Sequence, residues 1–213
     1  MASPSTRNRK DGDDGDDGDD GDDGDDGDDG DDGDDTCSIA PGDYRTQTQG
    51  GWGSPPAGNN PGTYLHMNVA AAFPGGFQIG CNGGQSLSFT SAAALTSFLP
   101  QGGSPAVLTA SATDPANLGN VLAGQVAALG LSLGFDAYDA SFGAAGRPLA
   151  ELVISQGTFQ GWTVQQLFDE AQSALGGCGT SHSLSDLNDA LSKINQNFVD
   201  GNLNEGFLRC PAD

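Results

Sequence analysis

The chain has 213 residues with 29 acidic and seven basic side chains, and a net charge of −22. That charge is unevenly placed: residues 1–10 carry +3, Asp11 to Asp35 carry −17, and the rest carries −8, with Arg45, Arg147, Lys193 and Arg209 its only strong bases. Four scattered cations build no basic surface, which excludes nucleic acid as a partner and leaves divalent cations or basic molecules.

The chain divides into three parts. Residues 1–10, "MASPSTRNRK", read as a short basic disordered head without the apolar run of a secretory signal, so the export route stays open. Residues 11–35 hold eight Gly-Asp-Asp triplets from Gly12 to Asp35. Glycine at every third position meets the steric demand of a collagen triple helix, but the proline that stiffens one is absent. At about 3.1 Å per residue the triplets span roughly 74 Å. Three such chains side by side would carry a charge about every 1.5 Å, near the ~1.7 Å of duplex DNA, and would condense counterions. The tract is therefore either a collagen-like stalk of a homotrimer or a self-repelling extended coil. Under both readings Asp13, Asp14, Asp16, Asp17, Asp19, Asp20, Asp22, Asp23 and the aspartates on to Asp35 are expected to bind Ca²⁺ weakly at many sites, since clustered hard oxygens suit that ion. Residues 36–213 are ample for one globular domain.

Within that domain "YRTQTQ" at 44–49 alternates like a strand, and "GGWGSPPAGNNPG" is a long loop dense in turn formers. "TYLHMNVAAAF" and "GGFQIGC" read as strands separated by Pro74-Gly75-Gly76. "SAAALTSFL" is a short helix ending at Pro100. Asp114-Pro115 has the form of an N-cap followed by proline at the first helical position, opening a helix that is apolar all round. Gly119, Gly124 and Gly130 would let neighbours approach its backbone. Residues 117–135 hold 19 uncharged residues, long enough to cross a bilayer, but their polar residues and acidic flanks favour a buried helix over a membrane span. "LAELVIS" at 149–155 is a strand or one helical turn. Thr163 with Gln166 forms a capping box for a helix that Gly176-Gly177 stop. Another helix starts near Ser183 and runs to Gly201, with Leu184, Leu187, Leu191, Ile194 and Phe198 as its apolar stripe. The class is α+β: irregular N-terminal strands followed by a helical majority.

Cys37, Cys81, Cys178 and Cys210 lack the close spacing of zinc ligands, and their even number suits two disulfides in an oxidising compartment. Three pairings are possible; because Cys37 and Cys210 bracket the domain, Cys37–Cys210 with Cys81–Cys178 is favoured. His66 reads as a strand-face residue, and His182 as a helix lead-in with no strained Gly-x-Ser-x-Gly turn near it. Asp169 and Glu170 are adjacent on a helix and do not face each other as a glycosidase pair. Asp200, Asn202 and Asn204 have the spacing of a calcium-loop start, but Glu205 and Pro211 stand where its glycine and bidentate acid belong. Asp136 and Asp139 form a weaker ligand pair still. Trp52 and Trp162, each after a glycine, are either core plugs or exposed residues of a carbohydrate-binding surface.

The Gly-Asp-Asp tract resembles the stalks of bacterial or viral collagen-like surface proteins. The domain, with "RTQTQGGWG", "GTFQGWTVQQLFDEA" and "INQNFVDG", is similar to a Gly-rich module of large secreted bacterial surface proteins, over most of residues 44–207. The resemblance implies an exported structural or adhesive protein with no catalytic activity; the missing proline and leader depart from it. The expected function is therefore a non-enzymatic extracellular or surface protein with an unknown surface ligand. A cation-buffering or mineral-interacting protein is the alternative, and a secreted hydrolase the third class.

Overall fold

The computed structural model describes residues 37–212; the basic head and the Gly-Asp-Asp tract, including every aspartate named as a calcium ligand, lie outside them. The described residues form a mixed α+β fold, as composition and pattern indicate. A central helix, α4 (Val121–Tyr138), runs through it. It is enclosed by α1 (Gln49–Trp52), α2 (Pro61–Ala72), α5 (Val164–Gly176), α6 (Leu184–Asn197) and the strand β1 (Phe77–Gly80). Leu122, Val126, Leu129, Leu131 and Phe135 of α4 are wholly buried. By length and composition α4 could cross a membrane, but its apolar surface is spent on these neighbours, at roughly 1.5–3 kcal/mol per large side chain. The packing is close enough to need glycine. A Cβ on Gly134 would lie 2.1 Å from Cζ of Phe73, and one on Gly124 would lie 1.8 Å from Oε1 of Gln49.

Two small sheets border the helices. β1 pairs antiparallel with β2 (Ser86–Phe89), placing Phe77 opposite Phe89 and Ile79 opposite Leu87 on the buried face. β3 (Ala112–Thr113) runs parallel to β2. After α3 (Ala92–Phe98) and α4, the "LAELVIS" segment adopts both expected forms in succession, a 3₁₀ turn at Leu149–Glu151 and then β4 (Val153–Ile154). β4 pairs antiparallel with β5 (Leu208–Arg209). Cys37 is bonded to Cys210 and Cys81 to Cys178, with Cα atoms 5.7 Å and 6.4 Å apart. Two disulfides fit a non-cytoplasmic protein.

Three expectations are corrected. Residues 63–73 are not a strand but most of α2, because Asn60 Oδ1 accepts the Thr63 amide at 2.9 Å and Pro61 opens the first turn. Its buried residues, Gly62, Leu65 and Val69, follow one another at helical spacing. The segment 44–49 makes only a single parallel bridge, Thr46 to Val199, before α1 begins. The central helix starts after Asn120 rather than at Asp114-Pro115. Asp114 adopts a positive φ of 50° and turns its carboxylate to Thr90, accepting the amide at 2.8 Å and the hydroxyl at 2.6 Å. Buried Gln101 then holds the Ala116 carbonyl at 3.0 Å and the Leu118 amide at 2.8 Å, fixing the following residues outside the helix. Gly119 consequently lies in that lead-in, with no neighbour near its Cβ position.

The remaining helices start where local chemistry dictates. Thr163 and Gln166 form both bonds of the capping box, at 3.1 Å and 2.9 Å, and Gly177 ends α5 in the left-handed conformation. Ser183 Oγ caps α6 through the Asp186 amide at 3.0 Å. That helix ends at Asn197, short of Gly201, and buries Leu187, Leu191 and Ile194 against α4 and α5.

Candidate binding site

The two tryptophans have opposite fates. Trp52 is fully buried; its Nε1–H donates to the Ala128 carbonyl at 3.2 Å and to Ser132 Oγ at 3.3 Å. The rings of Tyr64, Phe135 and Phe142 surround it. It is a core residue and is withdrawn as a binding aromatic.

Trp162 is half-buried at the edge of an open groove of about 680 Å³, lined also by Gly161, Gln166, Asp169 and Glu170. Its position follows from the loop after β4. Ile154 N–H donates to Trp162 O at 2.8 Å and Gly161 N–H to Ile154 O at 2.9 Å, closing residues 154–162 on themselves. Gly157 and Gly161 take φ values of 89° and 88°, which let this short loop reverse twice. Phe159 anchors it in the core, and Trp162 stands edge-on to Phe159 at 5.3 Å. The ring of His182 completes a triangle, 4.9 Å from Phe159 and 5.2 Å from Trp162.

The groove's polar groups come from one face of α5, at the i, i+3 and i+4 positions Gln166, Asp169 and Glu170. Gln166 gives Oε1 to the capping box, and its NH₂ makes no hydrogen bond among the described residues. Asp169 accepts from Gln165 Nε2 at 2.8 Å. Glu170 accepts the Thr180 hydroxyl at 2.6 Å, and Thr180 Oγ1 accepts the His182 amide at 3.0 Å. The turn carrying Thr180 and His182 follows Cys178, so the second disulfide braces a turn that hydrogen-bonds Glu170 of the groove. Across the same loop lies a smaller cleft of about 210 Å³, where Asp186, Asp189 and Lys193 of α6 meet Phe207 and the 156–159 backbone.

The other residues singled out in the sequence are not assembled into chemistry. His66 is on the exposed side of α2, its Nε2 3.0 Å from Thr96 Oγ1, rather than on a strand. His182 uses its ring for aromatic packing, and Ser183 supplies the helix cap in its place. Asp136 accepts the Leu149 amide at 2.8 Å, and burial raises its pKa. Asp139 accepts from the hydroxyls of Ser141 and Tyr64, both at 2.6 Å, which holds its pKa low. Burial and that bond push the Tyr64 phenol far above its ordinary range. Asp200 accepts from Gln47 at 2.7 Å, and Asn204 accepts the Gly206 amide at 2.9 Å, so the would-be calcium loop satisfies its own turn. Among the described residues no group of three or more His, Cys, Asp or Glu is placed to hold a metal ion.

Sequence reasoning missed the aromatic triangle. Phe159 and Trp162 are three residues apart and could be paired on paper; His182 reaches them only through the fold. No family model, no curated protein and no solved structure matches this chain.

Proposed function

We propose that this is a non-enzymatic extracellular or surface-displayed structural and adhesive protein. The Gly-Asp-Asp tract serves as an acidic, cation-condensing spacer, and the disulfide-braced domain makes the contact through the Trp162 groove. The observation that carries this reading is the Cys37–Cys210 bond, which ties the second residue past the tract to the residue that follows β5. A domain that holds on while its tether is pulled needs its chain ends secured there. The groove supports the contact role: an aromatic ring beside an amide and two carboxylates suits a saccharide, whose C–H face packs on the ring while its hydroxyls bond the polar groups.

The test is a titration of the full chain with a panel of neutral and amino-sugar oligosaccharides, read by tryptophan fluorescence. Trp52 is sealed in the core, so a saccharide-dependent change reports Trp162, and the signal is lost in Trp162→Ala. A panel without response rejects the contact role. The concentration of 17 aspartates in Asp11 to Asp35 favours a second reading, cation buffering or mineral contact by the tract itself. Deleting residues 11–35 separates the two: calcium uptake goes with the tract, and saccharide binding stays with the domain.

A further inference from the structure

The Trp162 groove differs from its neighbour in charge. The smaller cleft across the 154–162 loop holds Asp186 and Asp189 together with Lys193, so its acids have a base beside them. The Trp162 groove holds Asp169 and Glu170 and no base. The strong bases of the described residues are engaged elsewhere. Arg45 lies 3.9 Å from Asp200 and Arg147 3.0 Å from Glu151, while Lys193 sits over the Phe207 ring and Arg209 donates to the Cys210 carbonyl. Each carboxylate of the groove keeps an oxygen free. Asp169 Oδ1 accepts from Gln165 and Glu170 Oε1 from Thr180, but Oδ2 and Oε2 make no hydrogen bond among the described residues. The Gln166 NH₂ is an unused donor in the same place. Beside them stands the half-buried ring of Trp162, and the face of an indole attracts cations.

We propose that this groove selects an amino sugar, a saccharide carrying a primary ammonium, over the neutral or N-acetylated sugar of the same shape. The inference rests on the saccharide reading of the groove given above and names the class within it. An ammonium has donors for the free oxygens of Asp169 and Glu170 and a charge for the Trp162 ring. An anionic sugar would meet two carboxylates and no cation. Gln166 separates an amino sugar from a lysine-rich peptide. A lysine side chain offers donors only and gives the Gln166 NH₂ nothing to bond, whereas a sugar hydroxyl accepts from it while the ammonium donates to the acids. Asp169 and Glu170 thus set the specificity of a contact that Trp162 seats.

The experiment is a fluorescence titration of the full chain with three probes: a 1,4-linked glucosamine trimer, its N-acetylated counterpart and trilysine. The aspartate tract also attracts the two cations, but it contains no tryptophan; ligand in excess keeps that uptake from depleting the probe. The free-amine trimer is expected to bind about tenfold tighter than the N-acetylated one, from exposed ion pairs and a cation–ring contact together. Added salt is expected to shrink that ratio. Asp169→Asn and Glu170→Gln keep the acceptors that Gln165 and Thr180 use, and each is expected to lower the ratio about two- to fivefold. Equal affinity for the two trimers overturns the selection and leaves the saccharide reading standing; no response to either overturns both. Trilysine binding as tightly as the amine trimer overturns the amino-sugar class in favour of a basic peptide. A ratio that neither variant moves overturns the role given to the carboxylates.

Discussion

Asn120 is the residue on which the start of the central helix depends, and replacing it tests why that helix begins where it does. The residue is buried, with 5 % of its surface exposed. Oδ1 accepts the Ala123 amide at 3.4 Å and the Ala106 amide at 3.2 Å, while Nδ2 donates to the Ala106 carbonyl at 2.7 Å. One amide group therefore caps α4 and also pairs with the loop before it. Asn120→Ala removes a cap worth about 1 kcal/mol, at the low end here because the capping bond is long. It also releases two backbone groups of Ala106. These are partly exposed and can be rehydrated, so about 0.5–1 kcal/mol each applies rather than the full burial penalty. The expected loss is roughly 1.5–3 kcal/mol, read as a lower urea midpoint at unchanged slope. Asn120→Asp sharpens the test, since it keeps the acceptor and turns the donor into an oxygen facing the Ala106 carbonyl. It is expected to be at least as destabilising as alanine at pH 7 and to recover as the carboxyl protonates below about pH 4. Alanine within 0.5 kcal/mol of wild type, or aspartate equal to wild type at pH 7, would refute the assignment.

Three further outcomes follow from the packing and the ionisation states. Cys81→Ser with Cys178→Ser opens a bond spanning 97 residues, for which loop-closure entropy gives a loss of up to about 4–5 kcal/mol; chemical unfolding checks it, and saccharide binding at the Trp162 groove is expected to weaken as the Thr180–His182 turn loosens. Gly124→Ala drives a Cβ into Gln49, whose Oε1 accepts the Gln101 amide at 2.9 Å; a loss of roughly 1–3 kcal/mol is expected from thermal unfolding. Asp136 has its pKa raised by burial, so the folded state prefers it protonated. Its contribution is present below the unfolded value of 3.8 and is lost as pH rises through the higher folded value. Asp136→Asn keeps an acceptor for Leu149 and is expected to be more favourable relative to wild type at pH 7 than at pH 3; an equal difference at both pH values refutes the burial effect.

Much of this architecture was legible wherever the deciding interaction is local. The α5 start needs only Thr163 and Gln166, three residues apart, and the α5 stop needs only Gly177. The α2 segment misled because Leu65 and Met67 alternate like a strand, yet only Leu65 turns inward; Asn60-Pro61, read as loop, carried the true signal. Asp114-Pro115 misled because its local capping form lost to a partner 24 residues away, Thr90. The candidate site was half legible: Trp162 was noted, but the His182 packing needs the turn held by a disulfide from Cys81.

The Cys37–Cys210 bond also governs how the domain would bear tension. A pull arriving along the chain at Cys37 would ordinarily peel residues 37–46 away from the 198–201 segment. It would break the Gly42–Gly201 and Thr46–Phe198 backbone bonds one at a time. Here the sulfur bridge passes part of that pull directly to Cys210, the residue after β5. The load divides into two branches and enters the core from both sides, through Tyr44 stacked on Phe198 at 5.4 Å and through β5 paired to β4. With the bond intact a pull at Cys37 is shared between the two branches; once it is reduced, residues 37–46 carry that pull alone.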